Sequence, residues 1–303
     1  MLSVYVVFLD LLGFASAVTS LNPEEEASLL AVLEQSAQID GYEHLESPAL
    51  RYGGARVQHL FHVYSKFRKK ARDATKYIAQ CAALRSTHVW KESGRTAGPS
   101  TWEMPGEDGK YRSIVFSDSI FLAFNDVEAL LVAASQFLVG LLNEGIPVRG
   151  GLAAGSFAAF DWGFSASPDG SFRALSPFLG SGVVRAYYAE SRGPEGLRLI
   201  IHPSAAAAVT HLVPGGVIPL PDEQTSLSAS HELNLLWWPW YDMPYPYGEN
   251  RHELDRVLKS IRASAPPKAL SKYDATDQAL DRMQAVAAER HSPPVLKWEG
   301  YPT

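Results

Sequence analysis

Cysteine is almost absent from this 303-residue chain, which has a single one, Cys81. A disulfide framework and a metal site built on several cysteines are therefore excluded within one chain. Basic residues are outnumbered by acidic ones, since 27 Lys and Arg against 33 Asp and Glu give a formal net charge of -6, and no lysine or arginine precedes Arg51. The acidic balance argues against a protein that coats nucleic acid, since such domains are usually basic. We expect a reducing compartment, the cytoplasm.

The chain also lacks a long apolar run that is free of charged residues. Residues 1–18 are apolar, but they contain Asp10 and no basic residue, so we expect a buried strand and not an export signal. Residues 119–142 contain Asp126 and Glu128, which predict a strand followed by a capped helix. No membrane span is expected.

Hydrophobic patterns predict the order strand, helix, strand, strand, helix, strand, followed by a further helix and strand. The strands fall at 3–9, in a hairpin over 111–124, and at 147–157, 197–202, 216–220 and 233–238. The first helix is predicted to begin at the capping residue Asn22. Further helices are predicted over 55–84, from the capping residue Asn125 to 143, and over 180–190, 249–263 and 273–290. This order predicts an α+β fold with a ferredoxin-like or palm-like antiparallel sheet and helices on one face.

An acidic residue ends the first predicted strand, in the segment 8–14 (FLDLLGF). Asp10 would emerge at the edge of the sheet. Backbone amides of the following turn could then hold phosphate oxygens while the carboxylate holds the cation that neutralises them. The alternative is a structural aspartate that only caps its turn.

A second acid, Asp118, lies in the predicted hairpin turn, within the segment 115–120 (VFSDSI). A plain turn is one interpretation, although the favoured two-residue turns are Asn-Gly and Asp-Gly. The hairpin would place Asp118 beside the strand that carries Asp10. Two carboxylates that close repel each other unless a cation lies between them, so the pair predicts a divalent metal site.

A glycine-rich strand follows in the segment 145–155 (GIPVRGGLAAG). Glycines in a strand usually mark the close approach of another backbone or of a ligand. Arg149, in the middle of this segment, is either part of a structural ion pair or a phosphate contact.

Together these three motifs resemble those of the class III nucleotidyl cyclase family. There, Phe-x-Asp-x-x-Gly-Phe supplies one metal aspartate, a Gly/Ser-Asp hairpin supplies the other, and Arg-x-Gly-(Ile/Leu)-x-x-Gly follows. The resemblance covers about 3–200. The chain looks most like the bacterial pyrimidine cyclases of the Pycsar anti-phage system, on the segments 116–120 (FSDSI), 145–151 (GIPVRGG) and 180–190 (GSGVVRAYYAE).

The resemblance implies a cyclase catalytic domain over 1–203, with a helical insertion at about 40–110 and a C-terminal extension over 204–303 packed on it. It implies a homodimer with active sites at the subunit interface. The reaction would convert UTP or CTP to 3′,5′-cyclic UMP or cyclic CMP and pyrophosphate. The product would be a second messenger sensed by a separate effector protein, and no nucleic acid or membrane partner is expected.

The resemblance also assigns roles to individual residues. Asp10 and Asp118 would hold two Mg²⁺ or Mn²⁺ ions, with the backbone carbonyl of Leu11 as a further ligand. Arg149 and Arg185 would be catalytic, as candidates for the family's transition-state arginine, which falls near Tyr188 here. The substrate-binding residues would be Leu11, Leu12, Gly13, Phe14, Arg51, Tyr52 and Ser117.

Two positions differ from the purine cyclases of the family. The lysine with which they read adenine would stand at the position of Ile114. Their second base-reading residue, an acid, would fall near Pro177. These differences favour a pyrimidine, and we expect UTP before CTP. The alternatives are a purine cyclase with an altered pocket and an inactive nucleotide-binding dimerisation module. The basic segment 66–70 (KFRKK) is either a solvated helix face or a further source of the missing arginine.

Overall fold

The computed structural model describes residues 3–37, 54–92, 111–116, 118–159, 178–212, 215–236, 247–265 and 267–289. The strands in these ranges are β1 (Ser3–Leu11), β2 (Tyr111–Phe116), β3 (Ser119–Phe124), β4 (Val148–Ser156), β5 (Ala158–Ala159), β6 (Phe178–Leu179), β7 (Leu199–Ile201), β8 (Val217–Pro219) and β9 (His231–Leu233). The α-helices are α1 (Phe14–Thr19), α2 (Pro23–Ala37), α3 (Gly54–Glu92), α4 (Val127–Asn143), α5 (Ser181–Arg192), α6 (Pro203–Leu212), α7 (Tyr247–Ser264) and α8 (Leu270–Glu289). The predicted α+β class is confirmed. Among the described residues, no helix has both the length and the apolar character needed to cross a membrane.

Seven of the strands form one sheet in the order β2-β3-β1-β4-β7-β9-β8. The central strand β1 pairs antiparallel with β3 and with β4. The prediction of a wholly antiparallel sheet is wrong, because β7 lies parallel to β4. The chain reaches β7 from β4 by way of α5, and such a crossover returns the chain in the parallel direction.

Alternate residues of β1 face opposite sides of the sheet. Val7 and Leu9 belong to the main hydrophobic core, which includes residues of α3, α4, α7 and α8. Val6 and Phe8 belong to a smaller cluster that contains Ala186 of α5. The prediction of helices on one face is therefore wrong, because α5 packs on the face opposite to α3 and α4.

Polar side chains fix the beginnings of two helices. Asn22 caps α2 as predicted, since its side-chain oxygen accepts hydrogen bonds from two first-turn amides. The predicted cap of α4, Asn125, is wrong by one residue. The carboxylate of Asp126 accepts from the amides of Glu128 and Ala129 instead.

Residues after 203 complete the same sheet and core. The strand β9 pairs with both β7 and β8. Glu232 of β9 is fully buried and accepts hydrogen bonds from Arg198 at 3.0 Å and from Arg282 of α8 at 2.9 Å. The C-terminal segment is therefore joined to the preceding residues by backbone pairing and by a buried ion pair network. The helix α6 in this segment was not predicted.

Candidate active site

Asp10 lies near the end of the central strand and has a polar neighbour on each side. In the strand register it is opposite Ser119 of β3 and Arg149 of β4. The hydroxyl of Ser119 donates a 2.6 Å hydrogen bond to Oδ1 of Asp10. Asp10, Ser119 and Arg149 all line one cleft on the α5 face of the sheet.

The structure brings Asp118 to the same end of β1. Asp118 lies in the turn between β2 and β3, and its carbonyl oxygen accepts a 2.9 Å hydrogen bond from the amide of Leu11. Burial raises the pKa of Asp10, the hydrogen bond from Ser119 opposes this increase, and the charge of Asp118 adds to it. The charge of Asp118 thus acts on the carboxyl of Asp10, as expected if the two acids belong to one site.

Arg149 forms an ion pair, which is one of the two roles that its sequence context allowed. Its Nε atom contacts Oε1 of Glu190 on α5, and the Glu190 side chain is only 2% exposed. Burial raises the pKa of Glu190 to about 7, against the opposing charge of Arg149. The carboxyl group of Glu190 therefore changes its protonation state near neutral pH. It stands within the segment 180–190 but was not predicted as a site residue.

The glycines of the third motif are explained by the packing of α5 on β4. A Cβ atom on Gly151 would lie 2.0 Å from the carbonyl oxygen of Ala186, and one on Gly155 would lie 2.4 Å from the amide nitrogen of Gly182. Such distances are impossible, so only glycine permits this approach. The close helix brings Glu190 within reach of Arg149.

A cleft of about 310 Å³ opens above Asp10, between the sheet and the C-terminal half of α5. Its apolar wall is aromatic: the ring of Phe8 lies 4.6 Å from that of Phe121 and 5.6 Å from that of Tyr187. The polar wall consists of Asp10, Ser119, Arg149, Glu190 and Ser191. An aromatic surface beside paired charges suits a ligand with both a ring and anionic groups.

Two of the predicted phosphate-binding amides are already used within the fold. The amide of Leu11 donates to Asp118, and the amide of Leu12 donates to the carbonyl oxygen of Pro147 at 2.9 Å. These two groups are not free to bind phosphate. Gly13 precedes α1 and Phe14 begins it, so their amides stand at a helix N-terminus, where amides lack helical acceptors.

Arg185 is not brought to the cleft. Its guanidinium donates a 3.1 Å hydrogen bond to the carbonyl oxygen of Ala154. Ala154 is five positions along β4 from Arg149, which is roughly 16 Å at the rise of an extended strand. Arg185 therefore lies far from Asp10 within one chain. The remaining predicted residues, Arg51, Tyr52 and Ser117, lie outside the described residues, as does Pro177.

Lys272, on the first turn of α8, acts on the charge of the site from outside the cleft lining, which the sequence did not reveal. Two hydrogen bonds flank it and hold α8 against the loop after α5: Ser271 donates to Glu195 at 3.2 Å, and Thr276 accepts from the amide of Leu197 at 2.8 Å. The pKa values of Asp10 and Glu190 are raised mainly by burial, and the charge of Lys272 lowers both. The C-terminal segment thus contributes positive charge to the site.

The donor set at Asp10 and Asp118 suits a hard divalent cation. No group of three or more His, Cys, Asp or Glu side chains that could hold a metal occurs among the residues that the structure describes. Mg²⁺ does not need such a group, because it is commonly bound by one or two carboxylates together with water and substrate phosphates. No protein-family model matches the chain, and the comparison with curated proteins finds no match.

Proposed function

We propose that this protein is a cytoplasmic pyrimidine nucleotide cyclase that converts UTP, or CTP, to the 3′,5′-cyclic monophosphate and pyrophosphate. The observation that carries the proposal is the meeting of Asp10 and Asp118 at one end of β1, where Asp10 lines a cleft with aromatic and charged walls. Their carboxylates would hold two Mg²⁺ or Mn²⁺ ions, and the Leu11 carbonyl would be a further ligand.

The reaction forms a bond between the ribose 3′-oxygen and the α-phosphorus and breaks the bond to pyrophosphate. The bound ions would lower the pKa of the 3′-hydroxyl, so that it loses its proton and attacks, and would neutralise the phosphate charge. The residues of the chain hold this arrangement in place. Ser119 orients the Asp10 carboxylate through its 2.6 Å hydrogen bond. The ion pair with Glu190 fixes Arg149 beside Asp10.

Ile114 supports a pyrimidine over a purine, because the resemblance puts the adenine-reading lysine of the purine cyclases at this position. Ile114 packs against the apolar cluster of Val6, Phe8 and Phe121, on the face of the sheet that carries Asp10. An apolar side chain there offers no hydrogen bond to the edge of a purine, and a pocket reads a base through such bonds.

A homodimer accounts for apolar side chains that one chain leaves exposed along α5 and the short strand β6 before it. Leu179, Val184 and Tyr187 are each about half exposed, and the last of them lines the cleft. A second copy of the chain would cover them and complete the site. The strand order β2-β3-β1-β4 supports a ferredoxin-like cyclase domain as the core of each subunit. The product would act on a separate effector protein in anti-phage defence.

Product analysis tests the proposal directly. The purified protein is incubated with each of the four ribonucleoside triphosphates and Mn²⁺, and the products are identified by mass spectrometry. We expect cyclic UMP or cyclic CMP together with pyrophosphate. Products from ATP or GTP alone would show a purine cyclase. Nucleotide binding without any product would show an inactive binding module.

A further inference from the structure

A second cleft lies between α3 and β2, on the face of the sheet opposite to Asp10. Its volume is about 290 Å³, and its walls come from α3 on one side and from Tyr111 and Val115 of β2 on the other. The strand residue between these two, Ser113, shares a 2.7 Å hydrogen bond between hydroxyl groups with Thr75 of α3. Ile114, which alternates with them, packs on the Asp10 face instead. The two clefts are therefore separated by the sheet.

Three cations line the α3 side of this cleft: Arg68, Arg72 and Lys76. A spacing of four residues puts them on one side of the helix, and the outer two are roughly 12 Å apart along its axis. The helix is strongly basic within an acidic protein, since residues 54–92 contain nine Lys or Arg and two acidic residues. Among the ion pairs of the described residues, none involves Arg68 or Lys76.

The neighbouring lysines of the basic segment 66–70 have other contacts. Lys66 forms a 2.9 Å ion pair with Glu144. The amine end of Lys70 packs over Gly140 of α4, where an added Cβ would lie 2.8 Å from Nζ. The basic segment is thus not a uniform solvated face, and its Arg68 is directed to the cleft while Lys66 and Lys70 hold α3 against α4.

The rest of the cleft lining is apolar or carries a hydroxyl group. Ala71, Ala79 and Val115 form apolar surface beside the ring of Tyr111, and Thr75 provides the hydroxyl. The volume is near the lower end of the range for small-molecule pockets, about 300 Å³. A row of cations beside a small apolar surface fits a compact ligand that has phosphate groups and a flat ring.

We propose that the cleft between α3 and β2 is a second ligand site, which binds a nucleoside phosphate through Arg68, Arg72 and Lys76. The phosphates would lie along the row of cations, and the ring would lie on the surface formed by Tyr111 and Val115. This site does not depend on the cyclase reaction, because it shares no residue with the Asp10 cleft.

Binding of a fluorescent ADP, followed by anisotropy, tests this site. EDTA is added so that no divalent cation supports binding at Asp10 and Asp118. The double variant Arg68→Ala/Lys76→Ala should weaken binding about tenfold or more, the value of one charge-assisted hydrogen bond. The control Lys69→Ala/Lys259→Ala removes the same charge outside the cleft and should change binding less than about twofold. Equal affinity of the two double variants, or no binding by the wild-type protein, would overturn the proposal.

Competition experiments identify the ligand, and a second pair of substitutions controls for misfolding. Unlabelled ADP should displace the probe and adenosine should not, because adenosine lacks phosphate. A single-stranded oligonucleotide that displaces the probe at far lower concentration than ADP would mean that the cleft is a nucleic acid site, which also overturns the proposal. Should Arg68→Ala/Lys76→Ala unfold at lower temperature than the wild type, Arg68→Gln/Lys76→Gln replaces it, with the same expected loss of affinity.

Discussion

The amide of Leu11 donates a 2.9 Å hydrogen bond to the carbonyl oxygen of Asp118, and this bond joins the end of β1 to the turn between β2 and β3. The two acids are therefore brought together by the backbone. The adjacent register, in which Asp10 faces Ser119, has the same effect. It follows that the carboxylates can be replaced without dismantling the sheet that presents them.

Replacing Gly151 by alanine should be far more damaging than the same change at Gly145. A Cβ on Gly151 would lie 2.0 Å from the carbonyl oxygen of Ala186, so α5 must shift away from β4. We expect a loss of about 3 kcal/mol or more in the free energy of unfolding, measured with urea. Gly145 has a φ of +77° and open space around it, so Gly145→Ala should cost only about 1 kcal/mol. Equal costs would show that α5 does not pack as described.

The free energy of unfolding should depend on pH through Glu190. Burial raises its pKa from 4.5 to about 7, so the folded state binds the proton more tightly than the unfolded state. The stability that this provides is complete below pH 4.5 and is lost as the pH rises through 7. The Glu190→Gln variant lacks this titration. Urea unfolding at several pH values should therefore show the variant gaining stability relative to the wild type across this range, and a constant difference would contradict the assignment.

Replacing Lys272 by methionine should weaken substrate binding. Its positive charge lowers the pKa values of both Asp10 and Glu190, although burial raises them more, so it would also attract the phosphates of a bound substrate. We expect KM for the nucleoside triphosphate to increase about tenfold while the melting temperature is maintained. Lys259→Met removes an exposed lysine of α7 and should leave KM unchanged. A decrease in melting temperature without a change in KM would show that Lys272 has only a structural role.

Breaking the ion pair network of Glu232 should destabilise the whole protein. Glu232→Gln leaves the guanidinium of Arg198, which is 2% exposed, without a buried counter-charge. We expect a loss of about 3 kcal/mol in the free energy of unfolding. Asp274→Asn removes one of the two carboxylate partners of Arg262 at an exposed site and should cost less than about 1 kcal/mol. Similar costs for the two variants would mean that the C-terminal segment is not held by this network.

Local pattern was enough to predict most of the secondary structure. Strand alternation around Asp10 and the hairpin around Asp118 depend on neighbouring residues, so both predicted elements are present in the structure. The cap of α4 was misplaced because Asn125 and Asp126 are both good capping residues. Only the path of the chain after β3 decides between them.

Contacts between distant segments could not be predicted in the same way. Glu190 meets Arg149 only because Gly151 lets α5 approach β4, and an apolar helix pattern does not show which face of a sheet it covers. The charge of Lys272 acts on Asp10 because hydrogen bonds hold α8 against the loop before β7. No local signal in the sequence of the C-terminal segment indicates that a charge of this segment acts on Asp10.

Turnover by the Asp118→Ala variant tests the central claim most directly. Cyclic nucleotide formation from UTP and CTP with Mn²⁺ is compared between wild type and variant, and thermal unfolding of both is recorded. We expect the rate to fall by at least about 100-fold, as happens when one preorganised charge-stabilising group is removed, with a melting temperature close to that of the wild type. A folded Asp118→Ala protein that cyclises at the wild-type rate would contradict the assignment of Asp10 and Asp118 as a catalytic metal pair.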